Sequence, residues 1–258
     1  MKNIKFLLIT LICSLPFVVN AQDGGAASQS VRFGLVVNSG GSWLNVEKDQ
    51  SAEGLGFVLG GGLVTEFRIS DYVSFTTGIS MVNLSAAVSY DSDVNFTYEI
   101  RENGVTLPED TSLLLSRKYF FQTAQVPLRL KLKTPEIGYM TYFAEIGVVA
   151  GINYDSYTKK NIISDGSLET ELSGDLTKID AQDVTNWYRA ALSVNLGFEY
   201  SLVGNTALVV SLNWDHGLTN MLRDDDVTKT KLSFASTGNV FEQAGELGYG
   251  GLTVAIMF

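Results

Sequence analysis

The stretch RKYFFQTAQVPLRLKLK, Arg117 to Lys133, decides the fold. Its even positions are Lys118, Phe120, Gln122, Ala124, Val126, Leu128, Leu130 and Leu132, and six of those eight are apolar. The odd positions run down to Gln125, Pro127, Arg129, Lys131 and Lys133. Strict alternation predicts a β-strand with one apolar and one polar face. An ordinary soluble strand is about five or six residues long, so this one is unusually long. A leucine face backed by an arginine and lysine face fits the wall of a membrane barrel, apolar outside and polar inside.

Seven other segments repeat the pattern: Val31–Val46, Leu55–Ile69, Tyr72–Tyr90, Tyr139–Tyr154, Asn186–Leu202, Thr206–Leu218 and Leu247–Phe258. In the sixth strand, for example, Tyr188, Ala190, Leu192, Val194, Leu196 and Phe198 oppose Arg189, Ser193, Asn195 and Glu199. The third segment alternates cleanly to Met81, and the phase shift at Val82–Leu84 predicts a bulge. Tight turns at Ser70-Asp71, Thr134–Gly138 and Val203–Asn205 alternate with longer loops at Glu47–Gly54, Asp91–Ser116, Asp155–Thr185 and Thr219–Glu246. Short periplasmic turns and long outer loops characterise outer-membrane barrels. A soluble barrel of eight strands would reverse the faces, with its apolar side inward. The expected fold is therefore all-β, an eight-stranded antiparallel transmembrane β-barrel over residues 31–258. Aromatic residues should form two girdles, with Trp43, Phe120, Tyr154, Tyr188 and Trp214 outermost and Phe33, Phe67, Tyr142, Tyr200 and Phe258 at the periplasmic end. Proline donates no ladder hydrogen bond. Pro127 therefore predicts either a bulge or a missing bond.

The first 21 residues read as a cleaved signal peptide, with Lys2 and Lys5, an apolar run from Phe6 to Val19, and the cleavage pattern Val19-Asn20-Ala21. That run is too short for a membrane helix. Cys13 lies inside it, and Leu11-Ile12 before it lack the small residue that lipid attachment prefers, which argues against a lipoprotein. Residues 22–30 read as a short periplasmic segment. The mature chain has no cysteine, which fits export without disulfides and excludes thiol chemistry. Without Lys2 and Lys5 the chain holds 16 basic and 28 acidic residues, a net charge of −12. That balance argues against a nucleic-acid partner. The long loops carry essentially all of it, and the wall is close to neutral.

The stretches FVLGGGLVTEFRISD (57–71), QVPLRLK (125–131), NLGFEY (195–200) and DHGLTN (215–220), with a terminal Phe258, resemble the PorT-like outer-membrane β-barrel family common in Bacteroidetes. The resemblance spans much of the mature chain. It implies the barrel fold, the outer membrane of a Gram-negative bacterium, and a terminal aromatic read as an insertion signal by the barrel-insertion machinery. It implies no single activity. One family member is tied to protein secretion, so an accessory role in a secretion or envelope complex stays open.

Eight charged residues fall on the inward face: Glu66, Arg68, Arg129, Lys131, Glu145, Arg189, Glu199 and Asp215. They read either as a path for ions or polar ligands or as a packed salt-bridge network. Eight strands leave an interior only wide enough for side chains, and unpaired buried charges cost several kcal/mol. A plug is therefore expected. His216 is the sole histidine and the one candidate base for a lipid hydrolase with Ser233 or Ser236. Its neighbour Asp215 points to the other face, so no dyad is expected. Asp224-Asp225-Asp226 and Asp91–Asn95 invite a calcium reading, but the latter lacks the glycine and distal glutamate of a binding loop. Both read as solvated acidic loops. The expectation is a protein with no catalytic, cofactor or metal residues. Its partners would be outer-membrane lipid and lipopolysaccharide, the insertion machinery, and a protein bound through its acidic loops. A small channel and a hydrolase are the other readings.

Overall fold

The computed structural model describes residues 30–46, 50–90, 94–98, 101–102, 105–106, 110–164, 169–172, 177–223, 232–237 and 243–258. The expected signal peptide, all but Ser30 of the 22–30 segment, Asp91, Ser92 and Asp93, and the Asp224-Asp225-Asp226 run lie outside the described residues.

The eight wall strands are β1 (Val31–Val46), β2 (Gly56–Arg68), β3 (Val73–Tyr90), β4 (Asp110–Lys133), β5 (Met140–Ser164), β6 (Tyr188–Ser201), β7 (Ala207–Gly217) and β8 (Gly245–Met257). Each pairs antiparallel with its sequence neighbours, and β8 returns to β1 through partners such as Leu35↔Ile256 and Trp43↔Gly248. The ring is closed, so the wall has no free edge. Alternate residues of each strand point in and out, and this periodicity sorts charged from apolar side chains.

The stagger of the ring follows from its ladder partners. Arg32 leads to Glu66, Thr76, Arg129, Gly147, Ser193, Asp215, Tyr249 and back to Ser42. The path returns ten residues farther along β1, since 42 − 32 = 10. Ten residues at ~3.3 Å against eight strands ~4.8 Å apart give a strand tilt of roughly 40° and a backbone radius of about 8 Å. Side chains from opposite walls meet across such a lumen.

The turns at the lower end are tight. Ser70 Oγ accepts the Val73 and Tyr72 amides at 3.1 and 3.3 Å. Gly138 and Gly204 sit in the other two turns with φ of 67° and 63°, a conformation that glycine adopts without steric cost.

Several expectations need correction. β4 begins at Asp110 rather than Arg117, and β5 continues to Ser164 rather than Tyr154. The second and third long loops are correspondingly shorter. No bulge lies at Val82–Leu84, because the ladder runs unbroken from Met81↔Gly61 to Leu84↔Val58. There the inward face itself becomes apolar, with Val82, Leu84, Ala86 and Val88 buried. The irregularities lie in the β4–β5 pair instead, around Leu114, around Lys118 and at Gln122/Thr123. At Pro127 no bulge forms. The β3–β4 register is the same on either side, Thr77↔Leu128 and Ser80↔Gln125, with no partners recorded across Pro127. The third long loop is in part β-structured. Its described residues include the short strands Glu169–Glu171 and Ile179–Asp180, both paired with β5.

A membrane's apolar layer, about 25 Å tall for such barrels, needs only some ten residues of wall at this tilt. β4 has 24 residues and β5 has 25. The upper part of β4 pairs with Val94–Tyr98, which pairs in turn with Leu232–Phe234, and the short strand Gln50–Ala52 pairs with β3. The chain thus builds a β-structured head on top of its barrel.

Candidate functional site: a filled lumen beneath an apolar head

The outward face carries a band of exposed apolar side chains that includes Leu35, Val37, Leu63, Leu128, Leu130, Ile146, Val148, Leu196, Leu212 and Leu252. Below it Phe33, Phe67, Tyr142, Tyr200 and Phe258 are exposed, and above it Tyr154 and Tyr188. Trp214 points outward from within the band. Burying such a surface in lipid removes it from water, at about 25 cal/mol per Å².

The inward face changes character with height. At the periplasmic end three cations meet three carboxylates. Arg32 Nη2 donates to Glu66 Oε2 at 2.7 Å and to Glu199 Oε2 at 2.8 Å. Lys131 Nζ reaches Glu66 Oε2 at 3.1 Å, pairs with Glu199, and lies 3.9 Å from Glu145 Oε1. Lys133 Nζ donates to Glu66 Oε1 at 2.6 Å. Glu145 also accepts from Asn195 Nδ2 at 2.8 Å and Thr76 Oγ1 at 3.3 Å. Lys131 lies 4.2 Å from the centre of the Phe143 ring. Its side chain is 3% exposed and that of Glu66 2%, so both charges lie away from bulk water. The group is balanced, as buried charge must be.

Not every inward charge joins this group. Arg129 donates instead to Ser193 Oγ at 2.9 Å. Arg68 sits at the rim and binds Asp71 of the first turn at 2.7 Å. Arg189 and Asp215 lie higher. Arg189 donates to the Leu247 carbonyl at 3.2 Å and faces the Tyr249 ring at 5.4 Å, while Asp215 is wholly buried. Arg32 and Lys133 were absent from the sequence candidates. Both have inward parity and stand at strand ends, where a charge reads most simply as solvated.

Between the charges and the head the lumen holds a void of about 60 Å³ beside Arg129, Lys131, Glu145 and Asn195. That is room for about two waters at ~30 Å³ each. Below the charges a basin of about 520 Å³ opens at the turn end, lined by Arg32, Arg68, Lys133, Glu66 and Glu199 among others.

Above this polar layer the interior is an apolar core of Leu44, Val58, Val82, Leu84, Ala86, Val88, Phe121, Leu247 and their neighbours. Tyr119 stacks beside Phe121 with centroids 6.0 Å apart. Some polar groups here are paired: Tyr119 donates to Gln243 Oε1 at 2.9 Å and Arg117 Nε to Asn161 Oδ1 at 2.8 Å. Arg117 also lies 4.2 Å from the centre of the Phe96 ring. Burial lifts the Tyr90 hydroxyl well above the usual phenol value, helped by neighbouring Tyr119 and opposed by Arg117.

The candidate base lies against an outward indole. His216 stacks on Trp214 at 5.6 Å, whereas Ser233 lies on a loop strand paired to Asn95. Phe258 pairs its backbone with Phe33, through bonds of 2.7 and 3.4 Å, and its side chain is exposed.

Three solved outer-membrane barrels are similar in overall course. Neisserial surface protein A is 8% identical, with 87% of this chain and 95% of that one covered and a TM-score of 0.37. OprG from Pseudomonas aeruginosa is 9% identical over 87% and 95%, with a TM-score of 0.39. Ail, the attachment invasion locus protein of Yersinia pestis, is 9% identical over 88% and 98%, with a TM-score of 0.30. No curated protein matches the sequence. The model of the outer membrane protein beta-barrel domain matches residues 20–223, and the chain belongs to that family.

Proposed function

We propose that this chain is a non-enzymatic outer-membrane protein that binds a partner at the cell surface through its head and acidic loops. The carrying observation is the length of β4 and β5, which raise an ordered, apolar-cored head far above the layer that a membrane barrel needs. The buried charges are read as a structural plug rather than a solute path. The balanced set of Arg32, Lys131, Lys133, Glu66, Glu145 and Glu199 supports this, as does the apolar core stacked above it. Phe258 is read as the insertion signal, and residues 1–21 as the export signal. Reconstitution in planar bilayers tests the plug. The expected result is no discrete conductance, and regular single-channel steps would contradict it.

A second reading is an accessory role in a secretion or envelope complex of a Bacteroidetes-type cell. The PorT-like resemblance of residues 57–71, 125–131, 195–200 and 215–220 supports it. Purification in mild detergent separates the two readings. A stoichiometric periplasmic or inner-membrane partner favours the complex, and recovery of the chain alone disposes of it.

A further inference from the structure

Two bulges in β5 frame a single patch on the outer wall. From Phe143 to Asn153 the odd residues of β5 point inward. The register with β4 shifts between Gln122↔Asp155 and Thr123↔Asn153, leaving Tyr154 without an opposite partner. Parity is thereby reversed, so that Ser156 and Thr158 are buried and Tyr157 and Lys159 turn outward. A second shift, between Lys118↔Lys159 and Ser116↔Ile162, restores the original parity, and Asn161 and Ile163 are again buried. Lys160, at this second bulge, takes the left-handed conformation with φ of 51°. Bulges re-aim side chains and recur beside functional sites.

The re-aimed residues meet matching partners on β4. Tyr157 stands opposite Phe120, and their rings stack at 5.1 Å and 9°. Lys159 stands opposite Lys118, and like charges in that position repel. The Lys118 ammonium is 5.5 Å from the Phe120 centroid, and Lys159 is 5.8 Å from Phe120 and 5.4 Å from Tyr157. Lys178, from beside the short Ile179–Asp180 strand, is 4.0 Å from Tyr157. Three ammonium groups thus converge on one aromatic pair. Among the described residues no carboxylate pairs with any of them, and Asp155 nearby accepts from Gln182 at 3.2 Å. The chain as a whole is strongly acidic, with a formal charge of −10. A cationic patch on such a chain, aimed by two backbone irregularities, calls for an anion from outside.

Position identifies the anion. Phe120 lies four residues above Ala124, the top of the apolar face of β4. At roughly 2.5 Å of height per residue the rings stand about 10 Å above the hydrocarbon edge. Lysine stems reach back several ångströms from there. That is the headgroup layer of the outer leaflet. We propose that Lys118, Lys159 and Lys178 hold a phosphate of a phosphorylated glycolipid, whose acyl chains run down the band of Ala124, Val126 and Leu128.

The test uses the full mature chain in nanodiscs of uncharged lipid. It is titrated with a diphosphorylated glycolipid, with the same lipid dephosphorylated, and with inorganic phosphate as competitor. The wild type should prefer the phosphorylated form by about tenfold or more. The triple variant Lys118→Gln, Lys159→Gln, Lys178→Gln should lose that preference while keeping its β-sheet circular dichroism and its heat-dependent gel mobility. Arg68→Gln, at the opposite rim, should leave it unchanged. Equal affinity for the two lipid forms, or an unchanged preference in the folded triple variant, would overturn the proposal. Displacement of the lipid by millimolar inorganic phosphate would overturn the lipid assignment in favour of a simple anion site. If the triple variant does not fold, Lys178→Gln alone, an exposed position outside the wall strands, carries the same comparison.

Discussion

The lower and upper parts of the wall use the same strands with opposite chemistry. Below, β4 presents Leu128, Leu130 and Leu132 outward and Arg129, Lys131 and Lys133 inward. Above, the same strand presents Lys118 and Gln122 outward and Tyr119 and Phe121 inward. β3 does likewise, passing from outward Ile79 and Met81 to outward Asn83, and from inward Ser74 and Thr76 to inward Leu84 and Val88. The parity of neither strand changes over these residues. What changes is the solvent, from lipid to water, and each face follows the medium it touches. Hydropathy along a strand therefore reports the surroundings at each height as much as the strand itself.

The largest expected effect breaks the lower region from inside. Lys131→Met removes the cation shared by Glu66, Glu145 and Glu199 and leaves buried carboxylates short of a counter-charge. Its cost should be about 3–5 kcal/mol, read as a lower denaturant midpoint for unfolding from lipid vesicles. An unchanged midpoint would mean that the charges are not a sealed group.

In the upper region the sensitive side chain is apolar. Leu84→Ala, at 1% exposure, should cost about 3 kcal/mol through loss of burial and the cavity left behind. Proteolysis of the head should rise in parallel, while the barrel core stays protected. Loss of the whole barrel at once would contradict the separation of the two regions.

A paired substitution on the outer face sharpens the comparison. Leu252→Arg, in the apolar band, should cost roughly 2–4 kcal/mol, and Asn45→Arg, above Trp43, no more than about 1 kcal/mol. Equal costs would place the hydrocarbon edge elsewhere.

The smallest effect concerns pH. Tyr90 holds its proton more tightly in the folded head than in an unfolded chain, so the folded state binds more protons above about pH 10. Head stability should therefore fall as pH rises beyond that value, and Tyr90→Phe should lose this slope. Local hydrogen exchange in the head reads it. A slope that survives in the variant would assign it to another group.

The lower region was legible because lipid and a polar lumen lie on opposite sides of it. Arg117–Lys133 shows the contrast at a glance, and the ring of eight follows from repeats of it. The upper region was harder to read. With water outside and a core inside, Val82 and Leu84 looked like a phase error, and Asp110–Ser116 and Asp155–Ser164 looked like loop. The bulges at Tyr154 and Lys160 carry no glycine or proline to mark them. Within the site, Glu66, Lys131, Glu145 and Glu199 were found by parity alone. Arg32 and Lys133 were missed because terminal charges are usually solvated, and only the lumen geometry shows where they turn.

The account turns on where the wall leaves the lipid. Residues 22–258 contain no cysteine, so in a chain beginning at Gln22 single cysteines placed from position 118 to position 132 can carry nitroxide labels without background. At even positions from 124 to 132, dissolved oxygen should relax the label strongly and a water-soluble reagent weakly. At 122 and 118 that order should reverse, and at 119 and 121 neither should reach the label. Oxygen dominance continuing to 118, or access of the water-soluble reagent to 119 and 121, would contradict a wall that turns inside out above the membrane.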